Sequence, residues 1–219
     1  GHQSVGGNIL RGVADLAPDI AIIDLETAPA SATGPAVVHS KIGTNGHPLE
    51  KIEHYEKLLR ESGHEFDCAL MKFCYVDIDE RTNVTHLFDS YVSCIEEIAG
   101  DLPHTRLLHC TVPLRVLQPG LRSTLKQLAG RRVAAIEANQ MRDRFNVLMR
   151  KRFAQHELLD IARIEATRPD GSPVAIQYRG NAVPAMCPAY SSDGGHLNNQ
   201  GQALLAAAFL QLARLADPA

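Results

Sequence analysis

CALMKFCYVDI (68–78), THLFDSYVSCIEEIAG (85–100) and RLLHCTVPL (106–114) follow one another in the middle of the chain. The first and third are near-continuous apolar runs. The second repeats at helical spacing, with Leu87, Tyr91, Cys94, Ile95 and Ile98 on one side. Two strands apolar on both faces, joined by an amphipathic helix, make a parallel crossover unit whose sheet is covered by helices.

The same alternation extends outward. Residues 7–16 read as a helix and IAIIDL (20–25) as a buried strand, followed by a small-residue loop, TAPASATGPA (27–36). HPLEKIEHYEKLLRES (47–62) reads as a helix with Leu49, Ile52, Tyr55, Leu58 and Leu59 on its apolar face. Downstream, two helices are expected near 120–129 and 133–155, split at Gly130, and LLDIARIEA (158–166) reads as the last core strand. A turn-rich stretch containing VAIQY (174–178) suggests a short hairpin, and a final helix spans about 198–215. The pattern predicts one α/β domain over 1–219, a three-layer α/β/α arrangement with a mostly parallel central sheet. No strand precedes the first helix, so an upstream first strand is expected to lie outside this sequence.

Composition narrows the function. The 219 residues are 45% hydrophobic, enough for a sizeable core, and the net charge of -3 gives no reason to expect nucleic acid. No apolar run is long enough to span a bilayer, and no signal peptide is visible. The five cysteines are odd in number and include no CxxC pair, which argues against a disulfide framework and a zinc site. Cys74 and Cys110 sit in apolar runs and read as buried small residues. A cytoplasmic setting is mildly favoured, with export open if a leader was removed.

In parallel sheets, sites gather beyond the carboxyl ends of the strands. Three loops qualify: the one holding Ser4 in GHQSVGGN (1–8), GTNG (43–46), and the one after CYVDI. The late stretch SSDGGHLNNQG (191–201) would fold over them. Asp193 and His196 stand three residues apart just before a helix, so the carboxylate can hold Nδ1–H and leave Nε2 free as a base. Serine needs such a base to act as a nucleophile, and Ser4 is the candidate.

An early turn serine, a late Asp-x-x-His followed by Asn and Gly, and alternating strands and helices resemble the SGNH (GDSL-type) hydrolases. The resemblance spans the chain in motif order and implies a flavodoxin-like sheet, a serine esterase without metal or organic cofactor, and an oxyanion site built from a glycine N–H and an asparagine. The substrate it implies is a small-molecule, glycan or lipid ester; oligomeric state is left open. Gly43 is the candidate backbone donor, with Gly46 competing. The sequence departs from the pattern twice. Gln3 precedes the serine, and in FCYVDI Cys74 and Val76 stand where the glycine and asparagine belong, only Asp77 matching. Asn45 in GTNG is the proposed substitute for the missing amide; a site with backbone donors alone is the alternative.

Plainer roles compete. Asn198 is expected to be a helix cap, Asp77 a strand terminator or cap without chemistry, and GTNG an ordinary turn. The arginines of MRDRFNVLMRKRF (141–153) read as a solvated face. Tyr178, Met186 and Tyr190 are candidate pocket walls. The competing functions are a non-catalytic ligand-binding descendant and, last, an anion loop at GHQSVGGN, which lacks the residues of a nucleotide motif.

Overall fold

The computed structural model describes residues 1–27, 34–63, 65–117 and 131–214. Its helices are α1 (Ser4–Leu16), α2 (Pro48–Glu61), α3 (Val84–Asp101), α4 (Ala134–Arg152), α5 (Ile161–Glu165) and α6 (Asn199–Ala213). Its strands are β1 (Ala21–Asp24), β2 (Ala36–His39), β3 (Cys68–Leu70), β4 (Arg106–Cys110), β5 (Leu158–Leu159), β6 (Ala175–Tyr178) and β7 (Asn181–Pro184). β1 pairs in parallel with β2, and β3, β4 and β5 form a second parallel set in that order.

Gly1 and His2 join the two sets. The His2 N–H donates to Ser40 O and His2 O accepts from Ile42, while Gly1 O accepts from Lys72 and the Gly1 amine donates to Leu70 O. The sheet therefore runs β1, β2, residues 1–2, β3, β4, β5, all parallel. Ile52, Tyr55, Leu87, Tyr91, Phe145 and Met149 from α2, α3 and α4 form the core on one face. Val5, Ile9, Val13, Leu205 and Leu210 from α1 and α6 form it on the other. This is the expected three-layer α/β/α architecture. No helix among the described residues is long and apolar enough to cross a membrane.

The alternation holds, with four local corrections. β1 is not fully buried: its residues are exposed or half-exposed, because its described partner lies on one side only. β2 begins at the last residue of the stretch read as loop and runs through AVVH, where no strand is expected. In 68–78 pairing stops at Leu70, and Tyr75–Asp77 turns into a 3-10 helix capped by Asp77. LLDIARIEA is strand only at Leu158–Leu159; Asp160 then accepts a hydrogen bond from the Arg163 N–H and starts α5. The aspartate makes the difference, since an N-cap satisfies the free amides of a first helical turn. The hairpin at VAIQY is present as β6–β7. The helix expected near 120–129 lies outside the described residues.

Candidate active site

Ser4 is the first residue of α1, ahead of the start expected for this helix. Gln3 flanks it in extended conformation and does not cap the helix; its amide donates instead to Ile42 O and Gly43 O, both at 2.9 Å. Gln3 thus ties the start of α1 to the loop after β2. The first amides of a helix lack partners within it, and the helix dipole there, beside Ser4, favours negative charge.

The partner groups arrive from the other end of the chain. Asn198 caps α6 by accepting from the Gly201 N–H at 3.1 Å, as expected. The preceding loop is built from its own side chains: Ser191 Oγ donates to His196 O and accepts from the Gly194 N–H. Asp193 Oδ1 accepts from the Gly195 and His196 N–H groups at 2.9 and 2.7 Å. α1 and α6 then pack closely enough to bring the two ends together. A Cβ on Gly12 would sit 2.5 Å from Gln202 O, so the contact requires glycine. Buried Asn8 accepts from the Leu197 N–H across the same junction.

The result is a linear array. Asp193 Oδ2 lies 2.6 Å from His196 Nδ1, and His196 Nε2 lies 3.2 Å from Ser4 Oγ. Hydrogen bonds from the His196 N–H, the imidazole and the Gly195 N–H hold the Asp193 carboxyl well below the usual carboxylate range. An ionised carboxylate only accepts, so the imidazole proton sits on Nδ1 and Nε2 presents its lone pair to the serine hydroxyl. The His196 and Asp193 side chains remain 39% and 54% exposed to solvent.

The GTNG loop lies next to Gln3, but its groups are used differently from the sequence expectation. The Gly43 N–H donates to His54 Nδ1 at 2.9 Å, and the Gly46 N–H donates to Asp77 Oδ1 at 2.8 Å. The N–H groups of Gly43 and of its competitor Gly46, expected as oxyanion donors, thus each have an acceptor within the protein. Asn45 Oδ1 accepts from Lys51 Nζ at 2.9 Å, which leaves the amide hydrogens as the outward donors. Among the described residues no hydrogen bond links Asn45 to Ser4 or His196.

Beneath this loop lies a cluster that sequence reasoning missed. Lys51 and Asp77 pair at 2.7 Å with both side chains fully buried. Asp77 also accepts from the Cys74 N–H at 2.6 Å. One carboxylate so fastens the loop after β2 to the loop after β3. Lys51 reads as a surface helix residue in sequence; only its four-residue spacing from Tyr55 on the buried face of α2 hinted otherwise.

Tyr75 is the second missed residue. Its ring stands edge-to-face to the His196 ring, centroids 6.0 Å apart, and a Cβ on Gly195 would come within 2.9 Å of it. Arg142, read as part of a solvated face, is buried and donates from Nε to Tyr75 O at 2.7 Å. Arg115 lies over the Tyr75 ring, 5.3 Å from its centroid. The wall residues expected from sequence are elsewhere: Tyr178, Met186 and Tyr190 are buried in the core, because the hairpin and the loop after it pack inward. Val76 is exposed. No group of three or more His, Cys, Asp or Glu among the described residues is arranged to hold a metal ion.

No family model matches this chain, and neither does any curated protein. Solved structures do. A candidate acylhydrolase from Bacteroides fragilis superposes with a TM-score of 0.54 at 15% identity, over 94% of this chain and 83% of that one. A structure named for platelet activating factor, from Streptococcus pneumonia, covers 96% of this chain and 92% of its own at 15% identity and a TM-score of 0.49. A candidate lipase from Chitinophaga pinensis covers 97% and 91% at 12% identity and a TM-score of 0.45. The first of these shares the fold.

Proposed function

We propose that this chain is a serine hydrolase that cleaves carboxylic esters through an acyl-enzyme, an SGNH-like enzyme of divergent sequence. The observation that carries the reading is the array Asp193–His196–Ser4, closed across 192 positions of sequence by hydrogen bonds of 2.6 and 3.2 Å. The fold shared with a candidate acylhydrolase supports it.

His196 Nε2 takes the Ser4 proton as Oγ adds to the ester carbonyl. Asp193 keeps the imidazole in the required tautomer and stabilises the imidazolium that forms. The oxyanion is received by the Ser4 N–H at the positive end of α1 and by the Asn45 amide. Collapse of the tetrahedral intermediate breaks the C–O bond, and His196 passes its proton to the leaving alcohol. Water then attacks the acyl-serine, giving its proton to His196; the acyl–Oγ bond breaks, His196 passes that proton to Ser4 Oγ, and the acid is released. A second alcohol in place of that water would make the same site an acyltransferase.

The second reading is a ligand-binding module of low activity. It is favoured by one observation, that valine replaces the family's asparagine at position 76 while the Gly43 N–H is engaged by His54. Hydrolysis of 4-nitrophenyl acetate by wild type and Ser4→Ala separates the two. The hydrolase reading expects a loss of about 10⁴- to 10⁶-fold in turnover on substitution and labelling of wild type by a fluorophosphonate. Equal rates, or no turnover and no labelling, favour the binding module.

A further inference from the structure

Beside His196 the site continues into a cationic shelf. Tyr75 stands against the imidazole, and Arg115 lies over the Tyr75 ring. The guanidinium of Arg115 is exposed and makes no ion pair among the described residues. Arg142 flanks the same ring at 5.9 Å. It is buried and fixed by bonds to Tyr75 O and Asn139 Oδ1.

The carboxylates nearby are all occupied. Asp193 faces His196 and its own loop amides. Asp79 accepts from Arg81 and Thr82 in its turn. Glu165 is buried, accepts from the Leu114 N–H, and burial pushes its carboxyl up to about 8, so it holds its proton at neutral pH. Arg115 is therefore left without an ion-pair partner among the described residues, whereas Arg142 is attracted by Asp79.

The backbone of Arg115 is held in place. Its N–H donates to Asn139 Oδ1 and its carbonyl accepts from Asn139 Nδ2 and the Met186 N–H. The next residue, Val116, donates to Gly194 O, inside the loop that carries Asp193 and His196. The backbone bearing this cation is thus fastened to the backbone bearing the imidazole.

We propose that Arg115 receives an oxyanion, a carboxylate or phosphate, carried on the alcohol half of the ester. The assignment rests on the hydrolase reading above and specifies its substrate class. The alcohol half is indicated by the chemistry: His196 must protonate the leaving oxygen, so the leaving group lies on the imidazole side, where Tyr75 and Arg115 continue the surface. Tyr75 supplies a flat wall for the body of that group, and the guanidinium binds its anionic end by charge-assisted hydrogen bonds.

The test compares 4-acetoxybenzoate with its neutral counterpart 4-acetoxybenzamide, in wild type, Arg115→Gln, Arg115→Lys and Arg115→Glu. Wild type is expected to prefer the benzoate by about tenfold in kcat/KM, through KM, and to lose that preference as salt rises. Arg115→Gln should abolish the preference, Arg115→Lys should keep part of it, and Arg115→Glu should reverse it. A purely packing role for Arg115 predicts equal losses on both probes, which overturns the assignment, as does a wild type indifferent to charge. Turnover of the neutral probe reports separately on the hydrolase reading. If neither probe is turned over, ligand-observed NMR reads the same ratio in binding. Tighter binding of the benzoate to wild type that vanishes in Arg115→Gln upholds the anion site, and equal binding overturns it.

Discussion

Two aspartates near the candidate site have nearly the same bonds and opposite settings. Asp193 accepts from two backbone N–H groups and an imidazole, and it is exposed. Asp77 accepts from two backbone N–H groups and an ammonium, and it is fully buried. Exposure would let the Asp193 pair follow the proton movement proposed at the serine, because water can screen each change of charge. Burial makes the Asp77 pair a fixed fastening, since losing either partner leaves an ion without solvent or counter-charge. On the proposed function, like bonds therefore serve chemistry at one place and loop geometry at the other, and the dielectric around them decides which.

Asp193→Asn is the strongest way to break the comparison. It should lower kcat by about 10⁴-fold by spoiling the tautomer of His196, with the melting temperature little changed; a large loss of stability instead would make Asp193 structural like Asp77. Lys51→Met should do the reverse, costing about 3–5 kcal/mol in denaturant unfolding. The double variant Lys51→Met/Asp77→Leu should recover part of that cost, and strict additivity of the two single losses would show that no pair energy exists.

A third carboxylate sharpens the contrast. Glu165 is as buried as Asp77 but has no ion pair among the described residues, and Oε1 has no hydrogen-bond partner. Burial raises its pKa to about 8 from an ordinary 4.5, so the folded state keeps a proton that the unfolded chain releases. Its contribution is fully present below about pH 4.5 and is lost as pH rises towards 8. Unfolding titrations should show stability falling across that window in wild type, with a flatter profile in Glu165→Gln. The smallest effect belongs to the loop itself. Ser191→Ala removes the hydroxyl bridging His196 O and the Gly194 N–H and should cost about 1 kcal/mol, with a modest fall in turnover as His196 loosens. No change in either would mean the remaining Asp193 bonds alone hold the loop.

Legibility followed the range of the interactions. Asp193 and His196 were readable because a three-residue spacing in a turn nearly dictates their contact, and Asn198 because a cap is a local device. The helices of the core announced themselves by apolar period, as at Leu87, Tyr91 and Ile98. Lys51 and Asp77, 26 positions apart, carry no local sign of each other. Tyr75 looked like one more apolar residue of a strand, and its place against His196 depends on the turn that Asp77 caps. The engagement of the Gly43 N–H by His54 arises from α2 folding back under the loop, which spacing does not reveal.

The amino-acid sequence by itself determined the layered α/β order, the candidate nucleophile and the aspartate–histidine unit, since periodicity and short-range bonding are written in neighbouring residues. Only the tertiary structure decided that residues 4 and 196 meet, that a buried ion pair fastens the two flanking loops, and that a tyrosine flanked by two arginines stands against His196. Those contacts depend on close helix packing at Gly12 and on which groups the folded chain removes from water. Neither property belongs to any single stretch of sequence.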